Sequence, residues 1–279
     1  MDKFGWSAVQ DFQSENLSRH VGVEISGLDM LAALRAETIT ALRKLWVERG
    51  LLVFRGVEFS IEEQIAFAEQ FGTPQETGTT SAHQPDRRIL LISNIRENGE
   101  AIGALPDGEL QFHADSVFLK TPIKGAMLYA LEVPDTGGDT VFTNAATAYE
   151  GLPAALKTRL EGLEALNAYD YSTQVRTGRY DKDGGPEAVH PVILRHPETA
   201  RKSIFVNRLM TEEIIGLSPD DSDVLLQTLW EEIERPEYRY THKWRAGDVL
   251  LWDNRFIQHA RTDFPADQRR LLRRVALAG

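Results

Sequence analysis

Four consecutive apolar residues at Leu51, Leu52, Val53 and Phe54, and four more at Ile89, Leu90, Leu91 and Ile92, read as strands buried on both faces. A half-exposed strand would alternate instead. Alternation does occur at Val21, Val23 and Ile25, in a segment that stops at Gly27. Apolar runs at 124–133, 140–142, 189–194, 203–206, 238–244, 249–252 and 270–276 complete the predicted strands. Between two of them the turn at 134–139 carries Gly137 and Gly138, which supply backbone angles that other residues avoid.

Helical spacing is confined to a few segments. In 30–49, Leu31, Leu34, Leu42, Leu45 and Trp46 fall on one helical face, with Asp29 expected to cap the start and Gly50 the end. Ser60-Ile61-Glu62-Glu63 is a capping box that opens a second helix, closing at Phe71-Gly72. Short helices fit 145–162, and Ser218 caps a helix that carries Val224, Leu225, Leu229 and Ile233 before Pro236 ends it. Three stretches have no period: 73–87, 96–110 and 174–187. The first two frame His113 and are candidates for a substrate rim. The third, with Arg176, Arg179, Tyr180 and Lys182, is long enough to serve as a lid.

Strands dominate this pattern, with no internal repeat and no linker, so we expect a mainly β chain with flanking helices and a single domain spanning residues 1–279. A hydrophobic fraction of 42% is enough for a sizeable core. The net charge of −11 argues against a nucleic-acid or anionic-membrane surface, so any bound anion must be met by locally placed arginines. With no cysteine there is neither a disulfide nor a thiolate metal ligand. No apolar leader core follows Met1, and no window approaches the length of a membrane span. A cytoplasmic, soluble protein is the expectation.

The chemistry centres on His113 and Asp115, two residues apart on a segment predicted to be extended, where both side chains project from one face. A metal held there needs a ligand from elsewhere, and His259 lies just beyond the 249–252 strand. Two histidines and a carboxylate on one side of a metal form the facial triad of non-haem Fe(II) oxygenases, with the opposite positions open. His20, His190, His196 and His242 are expected to be structural or surface residues, and His83 sits in a candidate rim loop.

Together with Leu51–Gly56, the Pro134-Asp135-Thr136-Gly137-Gly138-Asp139-Thr140 turn, Trp252-Asp253-Asn254-Arg255 and Arg269–Arg274, the triad resembles the taurine and phenoxyacetate-herbicide dioxygenase family. That resemblance implies a double-stranded β-helix, the cupin-like jelly roll, with Fe(II) on His113, Asp115 and His259. It also implies 2-oxoglutarate and O₂ as co-substrates, consumed to succinate and CO₂. By the same resemblance Arg270 binds the remote carboxylate of 2-oxoglutarate with Thr140 as hydroxyl donor, and Arg274 holds the anionic group of a small substrate, the alternative being that a protein carboxylate holds Arg274 and it only shapes the pocket. An arginine fork suits a carboxylate better than a lysine does. Arg269 and Arg273 share the opposite strand face and are expected to be solvent-facing charges.

Taurine itself is a poor candidate, because the positions where taurine enzymes carry a His and a Tyr are Thr77 and Thr80 here, and their interarginine His is Arg273. Asp115 speaks against the halogenating relatives, which lack that carboxylate. A carboxylate, aryloxyalkanoate or sulfonate is expected as substrate, and relatives imply a homo-oligomer, dimer or tetramer. The rival readings are a zinc-dependent hydrolase, although no H-E-x-x-H motif is present, and a non-catalytic ligand-binding jelly roll.

Overall fold

The computed structural model describes residues 12–76, 80–105, 108–169 and 185–279. A seven-stranded sheet runs in the order Gln13–Asn16, Val23–Ser26, Leu51–Phe54, Val249–Asp253, Gly125–Glu132, Leu271–Leu277, Ile89–Ser93. Its strands are antiparallel except for the parallel pair Val23–Ser26 and Leu51–Phe54. A four-stranded antiparallel sheet follows the order Arg239–His242, Thr140–Asn144, Ile257–Arg261, Leu110–His113.

Alternation along the strands explains the unbroken apolar runs. Leu51, Val53, Leu128, Leu250, Trp252 and Leu272 of the larger sheet meet Phe142 and Ile257 of the smaller one in an inner core. The intervening Leu52, Phe54, Met127, Val249, Leu251 and Val275 join an outer core with Leu42 and Trp46 of one helix and Ile65 and Phe67 of the next. Each large side chain buried in this way contributes about 1.5–3 kcal/mol, and cover on both faces is why the apolar runs do not alternate with polar residues. The result is the expected mainly β jelly roll of two facing sheets, with helices on the outer face of the larger sheet.

The helix ends follow the capping signals only in part. Ser60 accepts from the Glu63 N–H at 3.1 Å while the Glu63 carboxylate accepts from the Ser60 N–H at 2.8 Å, the reciprocal box that starts helix Ile61–Glu69. Gly50 ends helix Ala36–Arg49 at φ 78. That helix begins later than expected, and Asp29 does not cap it. The Asp29 carboxylate accepts from the N–H groups of Leu31 and Ala32 in a separate turn, and Arg35 stands at the helix start without a side-chain cap.

The apolar run at 189–194 is divided between Glu187–Pro191 and Ile193–Arg195, which belong to different small sheets. Strands Glu164–Ala168 and Thr211–Ile214, paired with each other beside the first of these, carry no clean period and were not anticipated. Helix Pro219–Ile233, capped by Ser218, packs Leu225, Leu226 and Leu229 against Val192, Ile204 and Val206 in a core of its own. Of the segment expected to be a lid, 174–184 lies outside the described residues, and so does Thr77.

Candidate active site

His113 is the last residue of its strand and pairs directly with His259 on the neighbouring strand, with ring centroids 4.2 Å apart. One ligand atom from each of His113, Asp115 and His259 can be chosen so that all lie within 4.8 Å of one another. Asp115 reaches this cluster by a route other than the expected one. The strand stops at His113 and the chain turns, with Ser116 at φ 60, so the carboxylate is presented by a turn and not by strand alternation. Asn254 clamps that turn: its Oδ1 accepts from the Asp115 N–H at 2.7 Å, and its Nδ2 donates to the carbonyls of Asp115 at 2.9 Å and Ile123 at 3.0 Å.

The protonation of the triad follows from its contacts. A carbonyl only accepts, so His113 Nδ1, 2.8 Å from the Gln111 carbonyl, carries the proton. Nε2 then keeps its lone pair, 3.8 Å from Asp115 Oδ1. Burial lowers the pKa of His113, against the opposing pull of Asp115. Burial and then the neighbouring His113 push His259 down to about 3. Both rings are therefore neutral at physiological pH, the form that ligates a metal, and His259 Nδ1 is buried without a hydrogen-bond partner among the described residues. Two neutral imidazoles and a carboxylate converging on one point fit a divalent ion of the Fe(II) kind.

The triad opens into a cavity of about 490 Å³ whose walls include Leu90, Ile92, Leu110, Leu128 and Leu272. The two irregular loops expected to form a rim contribute Gln75 and Glu76, and Ala104 and Leu105; Thr80 does not line it. His83, in the first of these loops, pairs with Glu97 away from the cavity.

Three arginines face this space. Arg270 precedes the Leu271–Leu277 strand, and its backbone is held by Asn94 through a 2.9 Å bond from N–H to Oδ1. Among the described residues its Nε has no hydrogen-bond partner and no carboxylate forms an ion pair with it. Burial, then the charge of Arg261, brings its pKa down to about 9, with Asp139 opposing. It remains a buried cation at neutral pH, and such a group is costly until an anion meets it. Thr140 lines the same cavity.

Arg274 lies on the same strand face as Arg270, with Nη2 2.8 Å from Asp115 Oδ2 in an ion pair too poorly aligned to count as a hydrogen bond. Arg261, which the sequence reading passed over, donates Nε to the Gly108 carbonyl at 2.9 Å and Nη1 to the Leu105 carbonyl at 2.7 Å. Its spacing of two from His259 on one strand was the available signal.

Arg269 is exposed and pairs with Glu132, as expected. Arg273 is not solvent-facing. Only 8% exposed, it donates to the carbonyls of Phe59 and Ser60 and lies 4.9 Å from the centre of the Tyr129 ring. The outer strand face that it shares with Val275 is roofed by the Ile61–Glu69 helix and is therefore dry. His190, His196 and His242 are structural, bonded to the Leu119 carbonyl, Asp253 and Asp248 respectively.

The family described as Taurine catabolism dioxygenase TauD, TfdA family matches residues 13–276 of the chain. The chain is 33% identical to an alkylsulfatase of Acinetobacter baylyi, over 100% of its own length and 89% of that protein's. It is 35% identical to the (S)-phenoxypropionate/alpha-ketoglutarate-dioxygenase of Sphingobium herbicidovorans, over 92% of this chain and 90% of the relative. Against the crystal structure of a taurine dioxygenase from Burkholderia xenovorans the TM-score is 0.80 at 30% identity, covering 96% of this chain and 91% of that one. The chain belongs to the TauD/TfdA family of Fe(II)- and 2-oxoglutarate-dependent dioxygenases.

Proposed function

We propose that the enzyme hydroxylates a small anionic molecule with an apolar body, a carboxylate, aryloxyalkanoate or sulfonate. In this reading His113, Asp115 and His259 hold Fe(II), Arg270 and Thr140 hold the remote carboxylate of 2-oxoglutarate, and Arg274 holds the anionic group of the substrate. The observation that carries it is the Arg274 guanidinium lining a largely apolar cavity beside the triad; its 2.8 Å ion pair with Asp115 Oδ2 is the rival arrangement, in which a protein carboxylate holds Arg274 and it only shapes the pocket. An anion docked on Arg274 brings its neighbouring carbons next to the metal position. Relatives named as an alkylsulfatase and a phenoxypropionate dioxygenase support the choice of substrate class.

Bound Fe(II) with 2-oxoglutarate supplies O₂ activation and C–H hydroxylation coupled to release of succinate and CO₂. The chain's part is orientation and exclusion. Asn254 fixes the turn that presents Asp115, and the Gln111 carbonyl fixes the His113 tautomer. Leucines at 90, 110, 128 and 272 keep water from the cavity wall. Where the hydroxylated carbon bears an ether oxygen, sulfur or nitrogen, the product collapses and the net reaction is a cleavage. Membership of a dioxygenase family displaces the zinc-hydrolase and non-catalytic readings. The lack of cysteine is compatible with a cytoplasmic enzyme, and the charge of −11 supports one that keeps clear of nucleic acid and anionic membranes; the lack of a linker in the sequence supports one domain per chain, and a homo-oligomer is what the family resemblance implies.

A panel of small carboxylates, sulfonates and aryloxyalkanoates, assayed for stimulated succinate release, tests the substrate reading. Arg274→Leu should lose the stimulation while keeping a slow, uncoupled turnover of 2-oxoglutarate. If it instead lost 2-oxoglutarate affinity as severely as Arg270→Ala, Arg274 would belong to the co-substrate site.

A further inference from the structure

Four of the tryptophans are described, and three of them, Trp46, Trp230 and Trp252, keep a buried indole N–H without a hydrogen-bond partner among the described residues. Trp244 is different: its Nε1 donates to Thr140 Oγ1 at 3.0 Å, in a bond buried from solvent. An indole nitrogen only donates, whereas a hydroxyl has one proton to give and two lone pairs to offer. Thr140 Oγ1 is therefore the acceptor, and its own proton remains to be given to something else. No protein acceptor for that proton lies among the described residues. Thr140 lines the cavity that also holds Arg270, whose Nε has no hydrogen-bond partner among the described residues.

The placement of Trp244 is itself fixed from behind. The strand Arg239–His242 leads into it, with His242 in register opposite Thr140. The His242 ring packs edge-on against Trp244 with centroids 4.7 Å apart, and its Nε2 is 3.0 Å from Asp248 Oδ2, which also accepts from Arg55 and from the Arg245 N–H. This buried cluster holds the indole where its N–H meets Thr140.

We propose that Trp244 is a positioning residue for the co-substrate: by donating to Thr140 Oγ1 it turns the hydroxyl proton into the cavity, toward the remote carboxylate of 2-oxoglutarate. The inference rests on the assignment of that carboxylate to Arg270 and Thr140. An oxygen that already accepts a hydrogen bond is also a stronger donor, so the indole polarises the hydroxyl as well as orienting it.

The test is calorimetric titration of the anaerobic Fe(II)-loaded enzyme with 2-oxoglutarate, in wild type, Trp244→Phe, Thr140→Val, Thr140→Ser and the double variant Trp244→Phe/Thr140→Val. A neutral hydrogen bond sets the scale at about two- to tenfold. Trp244→Phe should weaken 2-oxoglutarate about fivefold with Fe(II) affinity unchanged, and Thr140→Val about tenfold. Thr140→Ser should recover most of the loss, and the double variant should be no worse than Thr140→Val alone. Additive losses in the double variant would mean that Trp244 shapes the pocket without acting through Thr140, and the inference would fall. An unchanged affinity in Trp244→Phe beside a weakened Thr140→Val would also overturn it while leaving the co-substrate assignment standing. An unchanged affinity in Thr140→Val would remove the assignment and the inference together. If Trp244→Phe does not fold, benzothienylalanine at position 244 keeps the bicyclic shape, replaces the N–H by sulfur and is read by the same criteria.

Discussion

Asp253 is fully buried, and burial alone would raise its carboxyl pKa. The hydrogen bonds and charges of Arg255 and His196 outweigh that and leave it lowered. His196 Nδ1 accepts from the N–H groups of Glu198 and Thr199, so its Nε2 carries the proton given to Asp253 Oδ2 at 3.1 Å. A carboxyl lowered on folding contributes stability that is fully present above its unfolded value of about 4 and is lost as pH falls through the folded value. Asp253→Asn should therefore cost about 3–5 kcal/mol at neutral pH, since it breaks a buried pair. The gap to wild type should narrow below about pH 4. Urea unfolding at both pH values measures it, and a gap independent of pH would contradict the assignment.

At this scale the sequence made the residue types legible but not their service. Asn254 belongs to the Trp252-Asp253-Asn254-Arg255 motif, yet its clamp on Asp115 spans 139 residues of chain, a separation that no local pattern reports.

The strand Leu271–Leu277 shows what alternation conveys and where it stops. Leu272, Arg274 and Ala276 face the cavity or inner core, and Arg273 and Val275 face outward, as a period of two demands. The parity of the arginines was legible for that reason. The dryness of the outward face was not, because it depends on a helix some 200 residues away in sequence; the bond from Gln64 Nε2 to the Arg273 carbonyl spans 209.

Arg270→Ala should raise the 2-oxoglutarate requirement at least thirtyfold, corresponding to the loss of about 2–5 kcal/mol from a charge-assisted pair in a closed site. Arg269→Ala, at the surface, should leave it unchanged; equal effects would mean that the strand register is wrong. Arg273→Ala should spare 2-oxoglutarate affinity but destabilise the fold by about 1–3 kcal/mol, because the Phe59 and Ser60 carbonyls lose their donor. Thermal melts and substrate titrations separate the two outcomes. Gly50 ties a helix end to the same machinery. It sits at φ 78, and an added Cβ would collide with the Ile257 side chain, two residues before His259. Gly50→Ala should lower the melting temperature measurably; a neutral effect would mean that this contact yields.

The whole molecule places its chemistry on the smaller sheet and its bulk on the larger. His113 and His259 sit on adjacent strands of the four-stranded sheet, and Arg270 and Arg274 approach from the Leu271–Leu277 strand and its start, last but one in the seven-stranded sheet. The cavity lies where the inner faces meet. Pairing within the two sheets was beyond sequence reading, since strands adjacent in space come from distant parts of the chain, as Leu110–His113 and Ile257–Arg261 do.

The central claim is that this meeting point is an Fe(II) site at which 2-oxoglutarate consumption is coupled to oxidation of a small anion. The measurement that tests it most directly is succinate release with Fe(II), 2-oxoglutarate, O₂ and the anion panel, in wild type and in His113→Ala, Asp115→Ala and His259→Ala. Wild type should release succinate in step with an oxidised or cleaved product, and each of the three variants should lose that coupled turnover. Near-native turnover in any one of them, or succinate release that no anion stimulates in wild type, would contradict the account.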